Sequence, residues 1–364
     1  MGVPTSRGLS IAIIIIVVLA ATTGYFAYQT VKPATTTAVS NVNVLNVATW
    51  TGPFTDGLEA QLPGFNKANN VITNVIGQGG VGETLAKLQA SLGHQSIDVW
   101  YTNNEAALRA ANSGLLEAID TSQVQSLSSY ASTAPFMVNG TVYGIRNQIT
   151  YIGIIIRTDM VDASGIKSYK DLWNTIYAKK IAIPQLYWYT GGIVYCTARW
   201  WSGSFQNTQV GFDKLKQLVP NIVNVYSTDS EAVRLLVSRQ APIVIGPFDD
   251  AYAAAEEGAP IKVVIPTDSP LFQSPQMITF VKNSPASDQL KYQFLNYALQ
   301  PSVNNAYSNV AGNYPLLKNP SVGPALMPYV GFTNTWEVDP SFTVSNYPSW
   351  SRTWQTEFVP LLSS

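Results

Sequence analysis

Two α/β lobes joined by chain crossings near residues 147 and 270, with an apolar helix ahead of them, are the fold class predicted for this sequence of 364 residues. Three observations predict it. β-branched runs alternate with segments of helical period in two blocks, and such alternation builds parallel sheets with covered faces. Between the blocks, two β runs follow one another without a helix, which marks a crossing. Leu9 to Tyr28 holds twenty residues without a charge, reaching roughly 30 Å as a helix, one hydrocarbon core. The length suffices for two lobes with their own cores.

Taken in order, residues 9–28 read as the anchor helix and residues 29–41, Thr-rich with one Pro, as a tether. Val42–Thr49 alternates and is β-branched, a strand. Asp56–Asn70 has helical period, interrupted near Pro63-Gly64, and Asn70–Gly77 is a second strand. Glu83–Leu92 carries apolar residues at 85, 88 and 92, a helix. Ile97–Trp100 is a third strand, and Glu105–Gly114 a helix that ends in glycine. Thr141–Ile145 and Thr150–Ile156 are the paired strands of the crossing. The second block runs as helix Tyr169–Ala178, strand Lys180–Pro184, a helix from Gly192, and helices Gly211–Val219 and Asp229–Arg239. Strand Pro242–Gly246, helix Asp250–Glu257 and strand Ile261–Pro266 close it. Met277–Lys282 is a further strand, and Ser287–Ala298 is the clearest helix of a mostly helical remainder. Lobe 1 is expected over 42–147 and 271–364, lobe 2 over 148–270.

Charged residues make up 12%, about half the usual share. Formal net charge is -1, so no basic field exists to hold nucleic acid. A surface rich in hydroxyls and amides changes its charge little when carboxylates protonate, and suits an acidic exterior. The single cysteine, Cys196, excludes an intramolecular disulfide, and with the single histidine, His94, it excludes Cys/His zinc sites. The sequon Asn139-Gly140-Thr141 fits an exterior loop. Neither a G-x-S-x-G elbow nor H-E-x-x-H is present, and a His-dependent triad would have to use His94 in a helix-ending turn. No spacing supports a paired-carboxylate glycosidase. We therefore assign no catalytic residue, metal ligand or cofactor.

Several short pieces recur in a telling order: Val47-Ala-Thr-Trp50-Thr-Gly, Ile97-Asp98-Val-Trp100 followed by Tyr-Thr-Asn-Asn-Glu105, and Gly114-Leu-Leu-Glu-Ala-Ile-Asp120. Val142-Tyr-Gly-Ile, Tyr169-Lys-Asp-Leu-Trp173, Ile181-Ala-Ile-Pro184 and Ala311-Gly-Asn-Tyr-Pro315 follow. Together they resemble the type II periplasmic binding protein family, in its iron/polyamine-like branch, from Val42 to about Asn319. The resemblance implies two lobes that close on a solute and hand it to a membrane permease. The chain departs from the iron-binding pattern in having no tandem Tyr-Tyr, and from the polyamine pattern in having no acid in the loop Gln185–Thr190. Ser6-Arg7-Gly8-Leu9-Ser10 resembles a pilin-like (class III) signal cut after Gly8, of the kind used by archaeal sugar-binding proteins. Residues 1–8 would then be removed and the helix kept. An uncut anchor and an ordinary signal peptide cut after Ala21 stay open. Arg7 favours a cytoplasmic N-terminus with the rest outside.

Ligands of open α/β sheets bind beyond the carboxyl ends of strands, so the loops after predicted strands supply the candidates. Trp50 and Thr51 follow the first strand; an aromatic there stacks on a sugar or cages an ammonium, or simply packs. Gly77-Gln-Gly79-Gly80-Val-Gly82 matches G-x-G-x-x-G, nominally a dinucleotide fingerprint. It falls at the second strand rather than the first. Gly79 and Gly80 are kept as N–H donors for a carboxylate or phosphate, a flexible turn being the plain alternative. Asn103, Asn104 and Glu105 lie past the third strand, where Glu105 also favours a helix N-terminus. Trp188, Tyr189 and Thr190 occupy an aromatic loop that contacts either a ligand or the other lobe. Asp249 and Asp250 follow strand Pro242–Gly246, and either one also suits a helix cap. The resemblance implies that Asn313 and Tyr314 reach the cleft. Arg199-Trp-Trp201 reads as helix packing.

The function expected is the extracytoplasmic, membrane-anchored solute-binding subunit of an ABC importer, with a small-molecule solute and an ABC permease as partners. The solute is sugar-like, a polyamine or another polar molecule; a small cation on aromatics with Asp249, Asp250 or Glu105, and an anion on the glycine loop, both stay open. A pilin-like or surface-associated structural subunit is the alternative, and an extracellular hydrolase the third reading.

Overall fold

A computed structural model describes residues 43–91 and 94–362. The expected signal, anchor helix and tether lie outside these residues. Among the described residues no helix is long and apolar enough to cross a membrane. The first βα series is β1 (Asn43–Trp50), α1 (Pro53–Asn69), β2 (Val71–Gln78), α2 (Val81–Ala90), β3 (Val99–Asn103) and α3 (Asn104–Asn112). A hairpin of β4 (Pro135–Val138) and β5 (Thr141–Arg157) follows. Next come β6 (Ile181–Pro184), α4 (Gly192–Ser202), α5 (Thr208–Leu218) and β7 (Ile222–Tyr226). The series continues with α6 (Asp229–Val237), β8 (Ile243–Pro247), α7 (Phe248–Glu256) and β9 (Ile261–Val264). The chain returns through β10 (Leu271–Phe280), α8 (Asp288–Ala298), α9 (Pro301–Ala311) and β11 (Tyr314–Pro315). It finishes with β12 (Thr335–Trp336) and α10 (Pro340–Thr353), which a π turn over Trp354–Phe358 continues.

Local chemistry explains most boundaries. α1 opens on Pro53, carries Asp56 in its first turn and Lys67 in its last, and ends on Asn70 at φ 48°, a charge order that suits the helix dipole. Its Phe54, Leu58, Leu62 and Phe65 recur at helical spacing and are buried. Asn139 and Gly140 join β4 to β5 at φ 50° and 82°, the positive pair that a two-residue hairpin turn requires. Along β5, Ile154, Ile155 and Ile156 are all buried, as a strand covered on both faces demands.

The strands form one sheet in the order β2-β1-β3-β10-β5-β8-β6-β7. β1 and β3 are parallel, and β6 is parallel to β7 and β8, whereas β5 and β10 run antiparallel to each other and to β3 and β8. β5 pairs with β4 over Thr141–Ile145 and with β8 over Ile152–Ile156. It therefore belongs to both lobes, as β10 does. The β5–β10 register slips between Gln276 and Met277, which leaves Asn147 as the extra residue of a bulge. A bulge bends its strand, and this one sits at the crossing. The two crossing strands expected from the sequence are thus one strand: the polar triplet Arg146-Asn147-Gln148 interrupts the apolar pattern but not the ladder.

Each lobe has its own core. Val47, Phe65, Val99, Ile278 and Phe294 cluster in lobe 1, and Ile154, Ile181, Trp200, Leu215 and Ile243 in lobe 2. Trp336, Trp350, Trp354 and Phe358 join the lobe 2 cluster. Residues 271–364 are expected with lobe 1; at this end of the chain the large rings find their buried surface in the lobe 2 cluster, while Val344 packs against lobe 1. The helix expected over Tyr169–Ala178 is two short 3₁₀ turns, Tyr169–Trp173 and Thr175–Tyr177. A capping box of Ser168 with Asp171 opens the first, and Asn174 accepts from Ile176 N at 3.0 Å to open the second. Two starts so close together leave no room for an α-helix. β7 has no counterpart in the sequence reading, and β10 begins six residues before the expected strand at Met277.

Candidate functional site

A cleft of about 430 Å³ opens where the ends of β1, β2, β3, β6, β7 and β8 approach one another, with Ser274 and Gln276 of β10 also lining it. Trp50 lies on the lobe 1 wall, half-buried, its ring tilted against Phe54 at 5.3 Å. Asn103 lines the cleft and spends its carbonyl oxygen capping α3 through Ala106 N at 3.0 Å, a bond that does not use its NH₂. The glycine loop is tied down by its one large residue. Gln78 is 2% exposed; it donates to Tyr101 O at 2.9 Å and accepts from Trp100 Nε1 at 2.9 Å and Thr84 Oγ1 at 2.5 Å. A Cβ on Gly77 would lie 2.7 Å from Thr51 Cγ2, so close packing accounts for that glycine. Gly79 and Gly80 do line the cleft, but Gly79 N donates to Glu83 Oε2 at 3.4 Å, so the loop already faces a carboxylate of its own.

The lobe 2 wall is the aromatic loop. Tyr187 Oη donates to Ser227 O, Trp188 Nε1 donates to the same carbonyl at 3.2 Å, and Trp188 meets Tyr226 edge-on at 5.3 Å. Tyr189, Thr190 and Gly191 follow at φ 47°, 51° and 100°. Left-handed backbone is costly for residues with a side chain and persists where surrounding structure imposes it. Here the support comes from α10: a Cβ on Gly191 would lie 2.5 Å from the Trp350 ring. Tyr347 of the same helix lines the cleft.

Between these walls three carboxylates meet. One oxygen each of Asp229, Asp249 and Asp250 lies within 4.8 Å of the others. They stand in the first turns of α6 and α7, where helix N-termini favour negative charge. Asp249 accepts from Thr150 Oγ1, and Asp250 Oδ2 is buried without a partner. No ion pair among the described residues includes any of the three. Burial raises Asp229 to about 8, helped by the charge of Asp249. Burial also raises Asp249 to about 6, against the Thr150 hydrogen bond. Asp250 is pushed well above the carboxylate range by burial and then by its two neighbours.

Trp50, Gly79, Gly80, Asn103, Trp188, Tyr189, Thr190 and Asp249 therefore share one cleft. Thr51 and Asp250 line an adjoining channel of about 650 Å³ that shares Asp229 and Asp249 with it. The other candidates lie elsewhere. Asn104 is buried and accepts from Arg146 Nε at 3.1 Å. Glu105 is buried one residue into α3, its carboxyl raised to about 7 by desolvation. Asn313 donates to Gln276 Oε1 at 3.2 Å behind the cleft floor, and Tyr314 pairs with Ile149 in β11. The sequence reading missed Asp229, Arg109 and Tyr347, which line the cleft. Asp229 had a usable signal, since Ile222-Val-Asn-Val-Tyr226 is β-branched and its carboxyl end points to Thr228-Asp229. A larger groove of about 1000 Å³ lies on lobe 1 between α1 and α8. It touches no strand end on the cleft side, and Tyr292 and Asn296 in it are bonded to Asp120 N at 2.7 Å and Gln125 N at 2.8 Å. The cleft between the lobes is the better candidate.

The family described as "Bacterial extracellular solute-binding protein" matches residues 62–325, and the chain belongs to this family. An uncharacterized protein of Haemophilus influenzae (strain ATCC 51907 / DSM 11121 / KW20 / Rd) is 25% identical over 221 residues, 58% of this chain. The chain spans 60% of that relative's length. An ABC transporter structure from Clostridium perfringens ATCC 13124 superposes with a TM-score of 0.68 at 24% identity, covering 85% of this chain and 98% of the other. The periplasmic binding protein AfuA from Actinobacillus pleuropneumoniae, with fructose-6-phosphate bound, gives a TM-score of 0.71 at 21% identity, covering 88% and 99%. These likenesses show the two-lobe periplasmic-binding-protein fold.

Proposed function

We propose that the chain is the capture subunit of an ABC importer, holding a small polar solute between its lobes outside the cytoplasm and passing it to a membrane permease. The observation that carries the reading is the cleft itself, to which strand ends of both lobes contribute and beside which, among the described residues, β5 and β10 run from one lobe to the other. A solute touching both walls binds the closed arrangement better than the open one, and that difference in affinity shifts the population toward closure. Trp50, Asn103, Trp188, Tyr189, Thr190 and Asp249 are the contacts proposed for it. The apolar run Leu9–Tyr28 and the tether after it would hold the subunit at the membrane, with processing after Gly8 as part of the same proposal.

The test is a thermal-shift panel of sugars, polyamines, oxyanions and amino acids on the full-length chain. A solute at a hundredfold excess over its dissociation constant stabilises by about 2.7 kcal/mol, a shift of a few degrees or less for a chain this long. A saturable shift with one class, abolished by Trp188→Ala, supports capture. A folded protein that no class shifts would contradict it and favour a structural subunit.

A further inference from the structure

We infer that the solute of this cleft is an organic cation, an ammonium or guanidinium, and that it enters by displacing protons shared among Asp229, Asp249 and Asp250. The inference rests on the capture reading above and adds the solute's charge and a pH dependence to it.

Geometry carries the argument. Three carboxylate oxygens within 4.8 Å of one another, those of Asp249 and Asp250 on buried residues and that of Asp229 on a half-buried one, resist full ionisation unless a positive charge is placed among them. Among the described residues no base forms an ion pair with any of the three. Asp250 is 3% exposed, and its Oδ2 has no hydrogen-bond partner. That buried, unpartnered acceptor lies against two further acids at the edge of an open cleft. Without a cation among them the three acids therefore keep protons near neutral pH, consistent with the raised values of Asp229 and Asp249.

The groups that face the cluster from neighbouring elements do not alter this. Tyr189 and Tyr226 feel all three acids, and both phenols are held neutral by burial. On α6, Arg234 lines the channel with the three acids but turns to Glu231 at 3.8 Å and to Gln240 Oε1 at 3.1 Å, and forms no ion pair with them. Across the channel stand Asp56 of α1 and Glu256 and Glu257 at the end of α7, which add negative charge. On the lobe 1 wall, Glu83 is paired with Lys87 at 2.7 Å, and Arg109 is the basic side chain that lines the cleft. Arg109 stands on α3, in the other lobe from the acids, and forms no ion pair with them.

Two features select an organic cation over a bare ion. The cleft, at about 430 Å³, is far larger than an ion and falls in the range of small-molecule sites. Trp188 and Tyr189 line it beside Asp229 and Asp249, and aromatic faces attract alkylammonium and guanidinium groups.

The test is calorimetric titration of the full-length chain with putrescine, choline and arginine, beside inositol, succinate and calcium chloride. Each titration is run near pH 5 and near pH 8 in two buffers of different ionisation enthalpy. The expected result is that at least one organic cation binds and releases protons, seen as heats that depend on the buffer. Its affinity should rise by up to about tenfold per pH unit for each proton displaced. Asp250→Asn, which keeps the shape and removes the charge, should lower that affinity by at least about tenfold and reduce the protons released. The proton release of the unaltered chain keeps the test informative even if the variant folds poorly. Binding of inositol, succinate or calcium alone, organic-cation heats independent of buffer, or no binding by any of the three organic cations would overturn the inference. Binding of a neutral or anionic solute would overturn it while leaving the capture reading intact.

Discussion

Three acids held together without a base have a consequence for stability as well as for binding. A carboxyl whose pKa is higher in the folded chain than in the unfolded one stabilises the fold most when both are protonated. That contribution is complete below the unfolded value of about 4 and is lost as pH rises through the folded value. For this cluster the loss runs through about 6 at Asp249 and about 8 at Asp229. Asp229→Asn should therefore raise the melting temperature of the solute-free protein more near pH 8 than near pH 5. A calorimetric scan at both pH values checks this; an equal gain at both, or a loss near pH 8, would count against the cluster as described. Little of this was visible residue by residue. Trp188, Tyr189 and Asp249 stood out because each follows an apolar strand that the sequence displays plainly. Asp229 did not, because β7 is short and alternates with exposed Val223, so its β-branched signal is weak and the strand end that marks Asp229 is easily passed over.

At the scale of elements, the aromatic loop is the unusual one. Two residues with side chains and a glycine stand in succession in left-handed backbone, and the Trp350 ring fills the space where a side chain at Gly191 would be. Gly191→Ala should cost about 1–3 kcal/mol from backbone strain, with a further penalty for the clash. Urea denaturation would measure it, and the intrinsic fluorescence of Trp188 should change with it. A neutral substitution would mean that the loop is not held in this shape. The sequence announced the loop by composition alone; the strain depends on α10, some 160 residues away, which no local pattern reports. The same physics separates the elements that were legible from those that were not. β1, β2, β8, α6 and α8 show their period in their own residues. The 3₁₀ turns after Ser168 depend on two caps in close succession, and the bulge at Asn147 on register with β10.

At the scale of the molecule, the two lobes were legible because strand and helix alternate twice around a helix-free stretch. The fate of the C-terminus was not, because Trp336, Trp350, Trp354 and Phe358 are aromatic whichever core receives them. In the structure α10 joins the lobe 2 core through Trp350, packs Val344 against the second core cluster of lobe 1 and offers Tyr347 to the cleft. Residues beyond 325 fall outside the part of the chain that the family description matches, yet Tyr347 among them lines the site. Because this helix touches both lobes, lobe movement must change its contacts. Small-angle X-ray scattering of the full-length chain, with and without a saturating solute found by the thermal-shift panel, tests capture by closure most directly. The account predicts a smaller radius of gyration when the solute is bound, and loss of that change in Trp188→Ala. Stoichiometric binding with an unchanged radius would contradict closure and leave a rigid binding surface in its place.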